Sequence, residues 1–204
     1  MINRFKEMER PVNILLSLFI TAILVLMVLG LGSPAQAGAD PRSMVINRLP
    51  ELGLEIWTEA VPAWHTRIEQ HKGRPVFIAK TPLNYYPPAS MSWTTLRFDL
   101  GTDEELVALV DSALAKAKKH YQVPATTPVK IDSAVYGPLK GFEGQFRGHN
   151  EGDVVDVHFF VGQQAGKPAV VMQALTLPDK LPHLRYQIER SWHYLKYINW
   201  EENP

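Results

Sequence analysis

Residues 129–176 write one pattern four times over. Segments 129–136, 139–147, 153–161 and 168–176 are short and rich in β-branched and aromatic residues. Such segments favour an extended, pleated backbone. The breaks "GHNEG" (148–152) and "GQQAGK" (162–167) are hairpin length, and their glycines supply the positive φ of a tight turn. Strands joined this closely pair antiparallel, because a parallel pair needs a crossover of a dozen residues or more. The pattern therefore excludes a doubly wound parallel architecture for this half of the chain.

The preceding stretch reads the same way until residue 102. "LEIWT" (54–58) is a short strand, and Trp64, Thr66 and Ile68 alternate with His65, Arg67 and Glu69 as in a second. "HKGR" (71–74) is a turn, and "PVFIAK" (75–80) returns as the other arm of a hairpin. "TPLNYYPPAS" (81–90) is a loop, since its three prolines have no place in a central strand. "SWTTLRFDL" (92–100) is β-rich. At Thr102 the period changes. Thr102 and Glu105 make a capping box, and Leu106, Val107, Val110, Leu114 and Ala117 form an apolar stripe. Lys116, Lys118 and Lys119 load the end of this helix. A last helix is predicted over 182–198, with Leu184, Ile188, Leu195 and Ile198 toward the core. The fold class is α+β: an antiparallel sheet with a mid-chain helix and a C-terminal helix packed on it.

The N-terminus addresses the chain. Arg4, Lys6 and Arg10 precede a run, Ile14 to Leu31, that is apolar except for Ser17, Thr21 and Gly30. Pro34 and the small pair Ala35 and Ala37 follow, which is the plan of a secretory signal cut between Ala37 and Gly38. The run is also long enough to stay as a membrane anchor. Both readings place the rest of the chain outside the cytoplasm: in the periplasm, free or tethered to the inner membrane. The domains are thus 1–37 as signal peptide or uncleaved anchor, 38–53 as a lead-in, and 54–200 as a single α+β domain. There is no cysteine, hence no disulfide and no lipidated N-terminal cysteine. The absence of an Asn-x-Ser/Thr sequon favours a bacterial envelope. Basic and acidic residues number 21 each, and the part beyond residue 37 loses three basic and two acidic ones. Without a basic surplus, nucleic-acid binding is not expected.

The element order and texture resemble the superfamily that includes PsbP and the DcrB-like envelope proteins. The resemblance is carried by "SWTTLRFDL" running into "GTDEELVALVDSALAKAKKHY", by "VKIDSAVYG" and the glycine-broken "GFEGQFRG", and by "VVDVHFFVG", "PAVVMQALTLP" and a final helix with Trp192. It implies an α/β sandwich and a small exported protein that binds partners or assists assembly, with no shared enzymatic activity. The "NYYPPAS" loop (84–90) matches no feature of that family.

Chemistry-bearing motifs are absent: no nucleophile elbow, zinc helix, P-loop or dinucleotide fingerprint occurs. The glycines at 137, 141, 144 and 148 lack phosphate-loop spacing and read as bulges or points of close backbone approach. Asp156 and His158 share one face of a strand, with His149, Glu151 and Asp153 in the adjoining turn and Glu143 across the hairpin. Carboxylate and imidazole together suit a divalent metal. The same alternation is explained if Val155, Val157 and Phe159 face the core and Asp156 and His158 face water. The second account is preferred, so no catalytic residue, metal ligand or cofactor is expected. Glu189 and His193, four apart, read as a surface pair.

Aromatic residues carry the functional expectation. Tyr85 and Tyr86 sit beside Pro87 and Pro88 on a stiff loop suited to recognition. Tyr186, Arg190, His193, Tyr197 and Trp200 recur at helical spacing as a second stripe on the last helix. The reading is a non-enzymatic binding or accessory protein of the bacterial envelope, acting on a protein partner or a membrane surface through Tyr85, Tyr86, Tyr186, His193, Tyr197 and Trp200. The alternatives are a metal-dependent or ligand-processing periplasmic enzyme using Asp156 and His158, and an inner-membrane-tethered component of a multiprotein complex.

Overall fold

The structure, a computed structural model, describes residues 44–96 and 102–198. The signal or anchor segment with Ala35, Ala37 and Gly38, and the aromatic Trp200, lie outside the described residues. Among the described residues no helix is long and apolar enough to cross a membrane.

The strands are β1 (Met44–Leu49), β2 (Leu54–Glu59), β3 (His65–His71), β4 (Arg74–Lys80), β5 (Ala89–Thr95), β6 (Ile131–Tyr136), β7 (Leu139–Asn150), β8 (Asp153–Gln163), β9 (Val170–Thr176) and β10 (Lys196–Tyr197). Helix α1 spans Asp103–His120 and α2 spans Leu181–His193. The fold is α+β, with two antiparallel sheets and a mid-chain and a C-terminal helix packed on them. The larger sheet has seven strands in the order β3-β4-β5-β9-β8-β7-β6. The expected meander is its right half, and β9 pairs with β5 to join it to the first hairpin. Two-residue turns close the hairpins where expected, with positive φ at Lys72 and Gly73 and at Glu151 and Gly152. The segment read as a lead-in supplies β1, which pairs with β2 along its whole length. Its partial exposure weakens the alternation that would have marked it.

Each face of the large sheet has its own apolar core. Helix α1 lays Leu106, Val110 and Ala117 onto Phe146, Val155, Val157, Phe159 and Val161. Its capping box is present, with Glu105 N–H bonded to Thr102 Oγ1 at 3.2 Å. Val107, assigned to the apolar stripe, is instead exposed. The other face is covered by α2 together with the small sheet β1-β2-β10. There Leu54, Ile56, Phe160, Leu184, Ile188, Trp192 and Leu195 are buried together.

One expectation changes here. The last helix stops at His193 rather than 198, and Leu195 and Ile198 reach the core from the terminal strand segment. Strand β3 forms where the alternation places it and is exposed on both faces. The close-approach glycines are explained without bulges, since β7 pairs in continuous register with β8. A Cβ on Gly148 would stand 2.6 Å from the Tyr121 carbonyl oxygen, and one on Gly137 would stand 2.4 Å from that of His193.

Candidate functional site

The loop between β4 and β5 folds against the start of α2. Thr81 closes the loop on itself: its N–H donates to the Ala89 carbonyl at 3.0 Å, and its Oγ1 accepts from Ala89 N–H at 2.9 Å. Thr176 Oγ1 anchors the far side by donating to the Pro88 carbonyl at 2.8 Å. On this frame Tyr85 and Tyr86 part ways. Tyr85 packs against the core, and its hydroxyl accepts from Gln187 Nε2 at 3.3 Å. Burial and the nearby Glu59 push the Tyr85 phenol upward. Tyr86 points outward, 69% exposed, with Lys180 Nζ 5.7 Å from its ring centre.

Tyr186 stands on the adjoining side of α2, 57% exposed, with its ring 5.1 Å from the Arg190 guanidinium. Arg190 was assigned to an outward stripe but is buried, because it forms an ion pair with Glu59 at the end of β2. Both side chains of the pair are 6% exposed. Burial pushes the Glu59 carboxyl up, and Arg190 opposes that shift. One turn of helix thus joins a buried charge pair to an exposed ring.

His193 and Tyr197 of the stripe go elsewhere, since the helix ends at His193. His193 is exposed, and its Nδ1 accepts from Gly137 N–H at 3.4 Å. Tyr197 lies in β10, half-buried against the core, with its hydroxyl bonded to the Pro168 carbonyl. Both line an open groove of about 550 Å3 with Lys167 and Lys196, at the opposite end of α2 from Tyr86. The expected Glu189–His193 pair is replaced by Glu189 with Arg185, at 2.6 Å.

Asp156 and His158 diverge. Asp156 receives Arg147 Nε at 2.7 Å and Asp179 N–H at 2.5 Å. His158, expected on a solvated face, is buried: α2 covers that face of β8 and Trp192 packs tilted against the imidazole with ring centres 4.8 Å apart. Its Nε2 meets Glu143 Oε2 at 2.9 Å. Tyr136 donates to the same oxygen at 2.6 Å. Burial lowers the His158 pKa and outweighs Glu143, which raises it. Burial, with Glu143 beside it, holds the Tyr136 phenol well above its ordinary range. These three side chains line a cleft of about 240 Å3 whose outer wall is Leu181, Arg185 and Glu189 of α2. Among the described residues, no group of three or more histidines and carboxylates is placed to hold a metal ion. Sequence reasoning saw Glu143 and His158 but missed Tyr136, whose contact depends on strand pairing, and the Glu59–Arg190 pair, whose members are 131 residues apart.

No protein-family model and no curated protein matches the chain. Solved structures similar to it include the following three. A protein of unknown function from Pseudomonas aeruginosa shares 18% identity over 74% of this chain and 94% of its own, with a TM-score of 0.46. A protein from Bacteroides thetaiotaomicron shares 10% identity over 78% of this chain and 50% of its own, with a TM-score of 0.49. LpqN, involved in cell envelope biogenesis of Mycobacterium tuberculosis, shares 13% identity over 78% of this chain and 86% of its own, with a TM-score of 0.31. None of these three is described as a PsbP or DcrB-like protein, and that resemblance rests on element order and texture.

Proposed function

We propose that the chain is an exported, non-enzymatic binding module of the bacterial cell envelope, and that it holds a protein partner at the surface carrying Tyr86 and Tyr186. One observation carries this reading: two large aromatic rings stand exposed on supports that are themselves fixed. Tyr86 rides on a loop closed by Thr81 and Thr176, and Tyr186 rests on the buried Arg190. Rigid aromatic anchors lose little entropy on binding and are enriched among residues that dominate interface energies. Export is supported by the basic, apolar and small-residue order of residues 1–38. Tyr85 acts behind the surface by holding Gln187. His193 and Tyr197 belong to the separate groove.

The test places a photoreactive residue at exposed Leu83, beside Tyr86, in the full chain expressed in its native envelope. A discrete crosslinked protein is expected, and it should vanish when Tyr86→Ala and Tyr186→Ala are combined. The same probe at exposed Val135, on the edge strand β6, should give no such adduct. An adduct unaffected by the double substitution overturns the reading.

A further inference from the structure

The cleft under α2 holds an unusual carboxylate. Glu143 is only 28% exposed, and its Oε2 accepts from two neutral donors, the Tyr136 hydroxyl and His158 Nε2. Burial lowers the His158 pKa, so the imidazole meets the carboxylate as a hydrogen-bonding group rather than as a permanent counter-charge. Arg185 is close enough to feel the Glu143 charge, but its direct partner is Glu189 at 2.6 Å, so among the described residues no lysine or arginine is in ion-pair contact with Glu143. Its Oε2 carries both of the hydrogen bonds found at this group, which leaves Oε1 for a further donor. Leu181, Pro182 and Ile188 give the lining an aliphatic stretch, set between Gln145 and the Arg185–Glu189 pair. A ligand that meets this lining has a cationic donor head on a short apolar stem.

We propose that this cleft binds an alkylammonium group, with Glu143 as its counter-charge, Tyr136 and His158 as the residues that orient Glu143, and the aliphatic stretch as the seat of the stem. An N–H donor to an ionised carboxylate in a partly dry cleft makes a charge-assisted hydrogen bond, among the stronger polar contacts available. The site is distinct from the Tyr86 and Tyr186 surface, and each can fail without the other. The same head group is offered by a free amine and by a lysine side chain of another protein.

The experiment titrates n-butylammonium chloride into the full-length protein and follows the His158 imidazole nitrogens and the backbone amides of Glu143 and Ile188 by NMR. Sodium chloride and tetramethylammonium chloride at matched concentration control for ionic strength and for a cation without N–H donors. Saturable shifts with n-butylammonium alone are expected. Glu143→Gln should weaken them by about tenfold or more. Arg185→Gln, at an exposed position that leaves the core intact, should strengthen binding by roughly two- to threefold by removing a competing cation. Nα-acetyl-lysine methylamide separates the sources: tighter binding than n-butylammonium supports a lysine of a partner, and weaker binding supports a free amine. The proposal is overturned if no saturable shift occurs, or if tetramethylammonium acts equally. It is also overturned if a folded Glu143→Gln protein binds as wild type, or if Arg185→Gln weakens binding.

Discussion

Replacing Arg190 by Met tests whether the Glu59–Arg190 pair holds the aromatic surface in place. Both side chains are 6% exposed, so the charge left on Glu59 after Arg190→Met has no route to bulk water without moving α2 or β2. Removing one partner of a buried pair costs about 3–5 kcal/mol. The lost stacking under Tyr186 adds roughly 0.5–1 kcal/mol. In a domain of this size about 2–4 °C of melting temperature corresponds to each kcal/mol, so the pair alone predicts a drop of roughly 6–20 °C. The double variant Glu59→Leu with Arg190→Met removes both charges and keeps the volume. It should recover most of the loss, because apolar replacement of a whole buried pair is often neutral or stabilising. The assay is thermal unfolding of wild type, both single variants and the double variant, with urea unfolding of the same set and its unchanged slope as the check that only stability has moved. A single variant melting within about 2 °C of wild type refutes the reasoning. So does a double variant no more stable than Arg190→Met.

Leu195→Ala should cost about 2–5 kcal/mol, since Leu195 is fully buried although it lies beyond the end of α2; calorimetry showing no loss would place it outside the core. Stability should also fall on acidification. The His158 pKa is lowered in the folded state, so the unfolded chain takes up its proton first. The stability linked to this group is therefore full above the ordinary histidine value of 6.5 and is lost as pH falls from there toward the folded-state pKa. Urea midpoints measured across that window should show a slope that His158→Phe removes, and an unchanged slope in the variant would assign the effect to other groups.

The fold was legible wherever one period ran uninterrupted. The four-strand meander, the two-residue turns and the capped helix α1 all follow from local pattern. The pairing of β5 with β9 does not, because nothing in either strand records which edge it meets. The end of the last helix was also misplaced. Leu195 and Ile198 keep helical spacing from Leu184 and Ile188, yet the backbone leaves the helix at Tyr194, and a strand segment buries the same residues. Apolar spacing reports burial and does not by itself report the backbone that achieves it. His158 shows the converse error. A polar residue alternating with valines reads as solvent-facing, but the helix that covers it lies 20 or more residues away and carries Trp192 to its ring. Tyr86 and Tyr186 were each visible, while the buried charge that supports the second was not.

The small sheet has a consequence for the order of assembly. Its middle strand, β2, is among the first described segments to leave the ribosome, and β10, which pairs with it at Leu54 and Glu55, is among the last. Ile198 N–H then closes on the Gly53 carbonyl at 2.9 Å. Pairings between such distant residues form slowly, because the intervening loop must be closed before they contribute. The hairpins β3-β4 and β7-β8 can form locally, yet Leu54 and Ile56 stay uncovered until α2 and β10 arrive. During synthesis from the N-terminus, that interval is when the exposed apolar strand is most open to mispairing and aggregation.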